Sequence, residues 1–212
     1  MKIVGIVAEY NPFHYGHVHH IMETRKNGAT HIVAVMSGHF VQRGEPSVVS
    51  KFARAKMALQ NGVDLVLELP LPWSMSSAEG FAFGAMSLLQ GLGCVEGLSF
   101  GSECGNIERL KQAALACDHP DVLRVLPHYL DQGLPFPSVR QKAVSHALGE
   151  DIADVLQSPN DQLGVEYLRA SRRIGWNVQP MCIPRMGVQH DQDSTHCRFA
   201  SASLLRRWMT KD

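Results

Sequence analysis

The sequence has no excess of charge of either sign, because 20 lysines and arginines balance 20 aspartates and glutamates over 212 residues. A neutral chain has no global attraction to nucleic acids or anionic membranes, which argues against a free-standing RNA-binding protein. The apolar and charged fractions are ordinary for a globular protein. We therefore expect a sizeable core and a single domain over residues 1–212.

Paired cysteines and long apolar runs are also missing. The five cysteines are odd in number and include no C-x-x-C pair, which predicts reduced thiols rather than a disulfide framework or a zinc site. The chain begins on a core strand, and no uncharged apolar run is long enough to cross a bilayer. We expect neither a signal peptide nor a membrane span, and hence a cytoplasmic protein.

Short apolar runs alternate with helical periodicity along the chain. The predicted strands cover 3–8, 30–36, 63–69, 97–100 and 177–183. A first predicted helix begins after Gly16, and the others cover 51–61, 76–90, 106–118, 120–132, 136–148, 161–174 and 201–209. This alternation is typical of a parallel sheet with right-handed crossovers. We predict a Rossmann-like α/β fold with helices on both faces of the sheet and a small helical insertion at about 106–150.

Chemically interesting residues follow the predicted strands. The stretch 7–20 leads out of the first strand, Ser37-Gly38 follows the second, Glu68 lies at the end of the third, and Gly101-Ser102-Glu103 follows the fourth. Ligands of such sheets bind beyond the carboxyl ends of the strands, where the strand order reverses. The sequence therefore predicts one site at this edge.

The strongest signal is the turn from the first strand into the first helix. Pro12 ends the strand, and His14 and His17 stand at the start of the helix, where free amides and the helix dipole favour anions. Histidines there can donate to phosphate oxygens that gain charge during a reaction. The alternative is that both rings only satisfy backbone groups in the turn. No P-loop and no G-x-G-x-x-G follows the strand, so phosphate binding would depend on this helix start.

Other charged residues offer a second set of candidates. Lys51 and Arg54 share a helix face and predict either a cationic wall for phosphates or ordinary solvated charges. Arg43 could bind a ligand or pair with Glu45 on the surface. Arg185 follows a strand end and could reach a phosphate.

Two further segments have the form of helix starts. In Ser158-Pro159-Asn160-Asp161, we predict Asn160 or Asp161 as the capping residue. Residues 201–207 place hydroxyls and amides before two arginines, which predicts a second anion site or an ordinary capped surface helix. His39 and the histidine and aspartates near 190 fit no metal-site spacing, so we predict no metal held by protein groups alone.

These stretches resemble a known family. His14-Tyr15-Gly16-His17 resembles the HxGH motif of the nucleotidyltransferase superfamily, and residues 201–206 resemble its second, ISSTxIR-like signature with Leu204 and Leu205 departing from it. Longer matches resemble bacterial tRNA(Met) cytidine acetate ligases. They cover 7–20, 36–46, 50–54, 100–103 and 159–164.

The resemblance implies a two-step reaction. ATP and acetate would give acetyl-adenylate and pyrophosphate, and the acetyl group would pass to N4 of the wobble cytidine of elongator tRNA(Met). It implies that His14 and His17 stabilise the phosphoryl transition state and that Mg²⁺ arrives with ATP. The implied ATP-binding residues are Val7, Ala8, Glu9, Tyr10, Asn11, Pro12, Phe13, His14, Tyr15, Gly16, His17, Val18, His19, His20, Gly101, Asn160 and Arg185. Possible phosphate contacts are Lys51, Ser201, Ser203 and Arg206.

Members of that family are about twice as long and carry a C-terminal part that helps to hold tRNA. We therefore expect this chain to correspond to the catalytic N-terminal part or to a short relative, with tRNA binding incomplete. Two alternatives stay open. One is a small-molecule nucleotidyltransferase that releases pyrophosphate from ATP, and the other is a nucleotide-binding module without catalysis. The sequence leaves the oligomeric state undetermined.

Overall fold

A computed structural model describes residues 1–42, 44–185 and 202–209. Its strands are β1 (Ile3–Ala8), β2 (His31–Ser37), β3 (Leu65–Leu69), β4 (Gly97–Ser102) and β5 (Gln179–Pro184). Its helices are α1 (Tyr15–Lys26), α2 (Lys51–Gln60), α3 (Ala78–Gly91), α4 (Ile107–Ala116), α5 (Pro120–Leu130), α6 (Phe136–Leu148), α7 (Glu150–Ala153), α8 (Pro159–Arg173) and α9 (Ala202–Met209). None of the helices in these ranges has the length and apolarity needed to cross a bilayer.

All strand pairs in the sheet are parallel, in the order β3-β2-β1-β4-β5. The chain builds outwards from β1 to β3 and then returns to the other side of β1 with β4. The strand order therefore reverses between β1 and β4, and a crevice opens beyond their carboxyl ends. The predicted doubly covered parallel α/β fold is confirmed, and it places the β1–α1 loop beside the end of β4.

Two apolar layers cover the faces of this sheet. One contains Val4, Ile6 and Ile32 and packs under α1 and α2. The other is larger and joins the opposite face of the sheet to α3, α4 and α8. A glycine permits the close approach of α8, because a Cβ on Gly164 would lie 2.6 Å from Cε2 of Phe100. The site is thus held by a rigid sheet that is buried on both sides.

The helical segment between β4 and α8 shares the larger core. Val122 of α5 and Ala143 and Val144 of α6 are fully buried in the same cluster as Leu98 of β4. The predicted helical insertion is therefore packed onto the sheet. Within this segment, two short elements were not predicted, namely α7 and a 3₁₀ turn over Asp154–Gln157. Their apolar pattern is too short to distinguish from a loop.

The prediction for the start of α8 was wrong. Ser158 occupies the capping position, and the helix begins at Pro159 rather than after Asn160 or Asp161. Proline is favoured at the first helical position, because its fixed φ suits the helix and its missing N–H would have had no partner there. Asn160 and Asp161 thus lie in the first turn of α8, and their side chains bind the loop after β4.

Candidate functional site

The β1–α1 loop is built from buried, tightly held residues. Tyr10 is 2% exposed and has a φ of 50°, a left-handed conformation that is uncommon for a residue with a side chain. Asn11 is also buried, and its Oδ1 accepts the main-chain N–H of Val48 at 2.9 Å. Strained residues persist where their surroundings hold them in place, and they concentrate at functional sites. This loop therefore has one fixed path into α1.

His14 and His17 close the first turn of α1 as a reciprocal cap. Nδ1 of His14 accepts the main-chain N–H of Gly16 at 3.0 Å, and Nδ1 of His17 accepts the main-chain N–H of His14 at 3.1 Å. The N–H of His17 reaches the carbonyl of His14 at 2.9 Å. The expectation that these amides are free for a ligand was wrong. The two histidines satisfy them, as the alternative reading of the turn required.

The cap nevertheless leaves each ring with a donor. An Nδ1 that accepts a hydrogen bond carries no proton, so the neutral ring holds its proton on Nε2. Burial lowers the pKa of His14 to about 4, with a further contribution from Arg185. Burial also holds the pKa of His17 well below its usual value, helped by His14, His20 and Arg185. At neutral pH both rings are therefore uncharged Nε2–H donors.

Stacking fixes the relative orientation of the rings. The ring centroids of His14 and His17 lie 3.8 Å apart, and Tyr10 packs edge-on to His17 at 4.9 Å. Gly16 is required for this arrangement, because a Cβ at that position would lie 2.8 Å from Cε1 of His14. The spacing His-x-Gly-His thus follows from packing as well as from chemistry. Phe13 also packs against His17, with the ring centroids 5.5 Å apart.

The C-terminal part of the stretch 7–20 is tied to β4. Nε2 of His20 bonds with Oγ of Ser99 at 2.9 Å, and that oxygen lies 2.7 Å from Oγ1 of Thr24. Ser99 and Thr24 are fully buried, so this hydrogen-bonded chain ties α1 to β4. Burial lowers the pKa of His20 to about 4. Tyr15, in contrast, is 64% exposed.

Gly101 and Arg185 form the opposite wall of the crevice. The main-chain N–H of Arg185 donates to the carbonyl of Ser102 at 3.0 Å. Among the described residues, a Cβ on Gly101 would meet only the side chain of Arg185, with Cγ at 3.6 Å and Cδ at 4.0 Å, which are ordinary contacts. Packing within the described residues therefore does not require glycine at position 101. A ligand that approaches the backbone closely would require it. Arg185 also lies near enough to His14 to lower the pKa of that histidine. The structure therefore brings Arg185 close to the histidine pair.

Asn160 reaches this wall through a reciprocal pair of carboxylates. The Glu103 carboxylate accepts from Nδ2 of Asn160 and from the main-chain N–H of Asp161. The Asp161 carboxylate accepts from the main-chain N–H groups of Glu103 and Cys104 at 3.1 and 3.0 Å, and from the hydroxyl of Ser102. Each residue thus binds the backbone of the other. The pair locks the end of β4 to the first turn of α8.

Lys51 lies at the other end of the sheet edge, beside β3. Its Nζ pairs with Glu68 at 2.6 Å, next to a cavity of about 100 Å³ lined by Gly38, Phe40 and Leu71 among others. The predicted cationic wall of Lys51 and Arg54 was wrong for Arg54, which is fully buried. Its guanidinium donates to main-chain carbonyls instead of facing the crevice. Arg43 lies outside the described residues.

The second predicted signature lies against the first. Nη1 of Arg206, on α9, donates to the carbonyl of Asn11 at 2.7 Å. Ser203 is exposed on the same helix, and Ser201 lies outside the described residues. Arg206 therefore reaches the β1–α1 loop across 195 positions of sequence. A contact between Arg206 and a phosphate stays a prediction.

Sequence reasoning missed two groups that shape the site. The buried position of Arg54 has no local signature, because an arginine on an amphipathic helix usually faces solvent. The pairing of Glu103 with Asp161 joins residues that are 58 positions apart. Asp161 follows a proline at a helix start, and that pattern predicted a local cap rather than a tertiary contact.

The chain was compared with known proteins at the levels of family, sequence and structure. A family model described as HIGH Nucleotidyl Transferase matches residues 1–212. The tRNA(Met) cytidine acetate ligase of Alkaliphilus metalliredigens is 44% identical over 220 residues, which cover 97% of this chain and 52% of the relative. The protein of the same name from Caldicellulosiruptor bescii is 44% identical over 98% of this chain and 52% of its own length. The chain spans about half the length of these curated relatives.

Solved structures give the same result. Thermotoga maritima TmcAL bound with alpha-thio ATP superposes with a TM-score of 0.88 at 40% identity, over 99% of this chain and 50% of that one. The apo form of Thermotoga maritima TmcAL gives a TM-score of 0.90 at 41% identity, over 99% and 51% of the two chains. The described fold is thus the fold of about half of that protein.

Proposed function

Because the chain belongs to the HIGH nucleotidyl transferase family, we propose that its crevice binds ATP and activates acetate as acetyl-adenylate. The acetyl group then passes to N4 of the wobble cytidine of elongator tRNA(Met), in the cytoplasm. This proposal follows the names of the relatives and the ATP analogue bound to the Thermotoga maritima protein. The chain matches about half of those proteins, and the other half of them would contribute to tRNA binding.

The observation that carries the proposal is the pair of neutral Nε2–H donors on His14 and His17 at the point where the strand order reverses. In the first step, a carboxylate oxygen of acetate attacks the α-phosphorus of ATP. The bond from that phosphorus to the bridging oxygen breaks, and pyrophosphate leaves with the electron pair. Negative charge grows on the phosphate oxygens, and fixed donors stabilise it.

The protonation states suit this step. Acetate reacts as an anion, so no group has to remove a proton from the nucleophile. A neutral histidine donates through Nε2 without losing that proton to the leaving pyrophosphate. Adenylation by this route depends on alignment and charge stabilisation rather than on a protein nucleophile. His14 and His17 meet both requirements, because their Nδ1 atoms are held by the helix cap.

The nucleoside end of ATP would lie across Gly101, with Asn160 and Arg185 beside it. The absence of a Cβ at 101 leaves room for a flat base against the backbone. Mg²⁺ would enter bound to the triphosphate, because the nearby carboxylates of Glu9 and Glu68 already accept from the Gln42 amide and from Lys51. Mg²⁺ bound through substrate phosphates is the usual arrangement for nucleotide enzymes.

Acetate-dependent exchange of labelled pyrophosphate into ATP tests the first step. We expect exchange with acetate, none without it, and a loss of about 10²–10³-fold in His17→Asn. Exchange stimulated by a phosphorylated cofactor precursor instead of acetate would identify a small-molecule nucleotidyltransferase. ATP binding in calorimetry with no exchange for any acceptor would identify a binding module. Formation of N4-acetylcytidine in tRNA(Met), followed by mass spectrometry, tests the second step separately.

A further inference from the structure

Among the described residues, Arg54 is the largest of the fully buried side chains, and its guanidinium donates to the carbonyl of Glu9, at the start of the loop that leads to His14 and His17. Burying a guanidinium is costly, and burial lowers the pKa of Arg54 below its usual value. Among the described residues, no ion pair joins it to a carboxylate. Glu9 accepts from Gln42, and Glu68 pairs with Lys51. The charge is instead solvated by oxygen atoms of the main chain and of one hydroxyl.

The partners of this guanidinium come from the loops at the carboxyl edge of the sheet. Nη1 donates to the carbonyl of Glu9, directly after β1, and Nη2 donates to the carbonyl of Gly38, directly after β2. Nη2 also reaches Oγ of Ser47 at 3.2 Å, and Nε reaches the carbonyl of Val49 at 3.0 Å. The planar fork of arginine thus spans two neighbouring strand ends with two parallel donors.

The loop that follows Glu9 carries the donors for phosphate. His14 lies five positions after Glu9, and Tyr10, which directly follows Glu9, has the left-handed φ of 50°. A shift of the Glu9 carbonyl would therefore move the whole path of the chain into the helix cap. The Gly101 wall lies on β4, on the far side of β1, and among the described residues Arg54 makes no hydrogen bond to it.

We infer that Arg54 is a positioning residue for the triphosphate. Its fork fixes the ends of β1 and β2 so that the loop presents His14 and His17 to the phosphates, while the nucleoside half of the site is independent of it. This inference rests on the proposed binding of ATP. It separates two functions of one crevice, because the loss of Arg54 should weaken contacts to phosphate and leave contacts to adenosine intact.

The test compares the affinities of ATP and adenosine, measured by calorimetry, in wild type, Arg54→Lys and Arg54→Met. We expect both variants to bind ATP about tenfold or more weakly and to bind adenosine within about twofold of wild type. Arg54→Lys keeps the charge and the aliphatic stem but loses the fork, so it should not restore ATP affinity. If Arg54→Met shows no folded state in a thermal unfolding assay, the affinities of Arg54→Lys alone test the inference.

Arg25→Met is the matched control. Arg25 also donates to two main-chain carbonyls, those of Thr30 and Gly62, but it lies at the amino-terminal edge of the sheet. We expect this variant to leave both affinities unchanged. Equal losses of ATP and adenosine affinity in the Arg54 variants, or full recovery in Arg54→Lys, would overturn this inference alone. No ATP binding by wild type would remove the proposed function and this inference with it.

Discussion

The imidazole of His17 accepts the main-chain N–H of His14 at 3.1 Å while the two rings stack at 3.8 Å. One nitrogen of each ring therefore builds the helix start, and the other is held ready to donate. The structural role and the proposed catalytic role of these histidines use different atoms of the same ring. Substitutions can separate the two roles, because asparagine reproduces the acceptor near the backbone and has no atom at the Nε2 position.

His14→Asn and His17→Asn should keep the fold and lose the reaction. Asparagine is favoured at the capping position that His14 occupies, and at position 17 its Oδ1 can replace Nδ1 as the acceptor of the His14 N–H, so we expect the free energy of unfolding to change by less than about 1 kcal/mol. Acetate-dependent pyrophosphate exchange should fall by about 10²–10³-fold, because the Nε2–H donor is gone. His17→Ala should lose both stability and exchange activity, since no acceptor is left for the His14 amide. Exchange at the wild-type rate in both asparagine variants would contradict the role of these donors.

Gly101→Ala should weaken ATP binding without weakening the fold. The new Cβ meets only the side chain of Arg185, at 3.6 Å, so the thermal unfolding midpoint should stay unchanged. We expect ATP affinity to fall about tenfold, which corresponds to about 1.4 kcal/mol of steric interference. Gly91→Ala is the control, because its Cβ would meet nothing within 4 Å. Calorimetry measures the ATP affinity of both variants. Equal ATP affinities in Gly101→Ala and wild type would show that the nucleotide does not lie against Gly101.

Asp161→Asn should weaken both stability and ATP binding. One oxygen of the carboxylate becomes an amide nitrogen that faces N–H or O–H donors, so we expect a loss of about 1–3 kcal/mol in the free energy of unfolding. The first turn of α8 then keeps only the Glu103 side of its tie to the end of β4, and we expect Asn160 to move relative to Gly101. Asp154→Asn is the control, since Asp154 is exposed and bonds Gln157. A loss of stability with unchanged ATP affinity would assign the Glu103–Asp161 pair to the fold alone.

Stability should decline on mild acidification. Burial holds the pKa of His20 at about 4 in the folded protein, below the ordinary value of 6.5. Between these values the unfolded chain binds a proton that the folded chain does not. The free energy of unfolding should therefore be at its full value above pH 6.5 and fall towards pH 4, by up to about 1.4 kcal/mol per pH unit for one histidine.

Denaturant unfolding across this pH range, with His20→Gln and the control His31→Gln, measures the effect. Glutamine can still bond with Ser99 but does not titrate, so the decline should be shallower in His20→Gln. His31 is exposed at the start of β2, and its replacement should leave the slope unchanged. An identical slope in wild type and His20→Gln would show that other groups cause the decline.

The sheet and most helices could be predicted from local sequence because their signals are local. Runs such as Ile3–Ala8 are apolar over the length of one strand, and Gly62 and Pro70 mark where neighbouring elements end. The crevice could also be predicted, since parallel strands bring their carboxyl ends together. Single residues such as His14 were identifiable because a motif of fixed spacing surrounds them.

Tertiary contacts limited the rest. A carboxylate such as Asp161 can cap its own helix or bind a loop 57 or 58 positions away, and the local pattern is the same in both cases. The burial of Arg54 depends on carbonyls of Glu9 and Gly38, which no periodicity in α2 encodes. The start of α8 was misplaced because a cap at Asn160 or Asp161 puts Pro159 before the helix, whereas Pro159 is its first residue.

The hydrogen bond from Arg206 to Asn11 gives the site an order of assembly during synthesis. Its donor and acceptor are 195 positions apart, so Asn11 leaves the ribosome long before Arg206 is made. Domains form as their segments emerge, and contacts between distant segments form last. A nascent chain that has already closed its five-stranded sheet still lacks this donor on the β1–α1 loop. The crevice is therefore completed only after the sheet, when the second signature arrives.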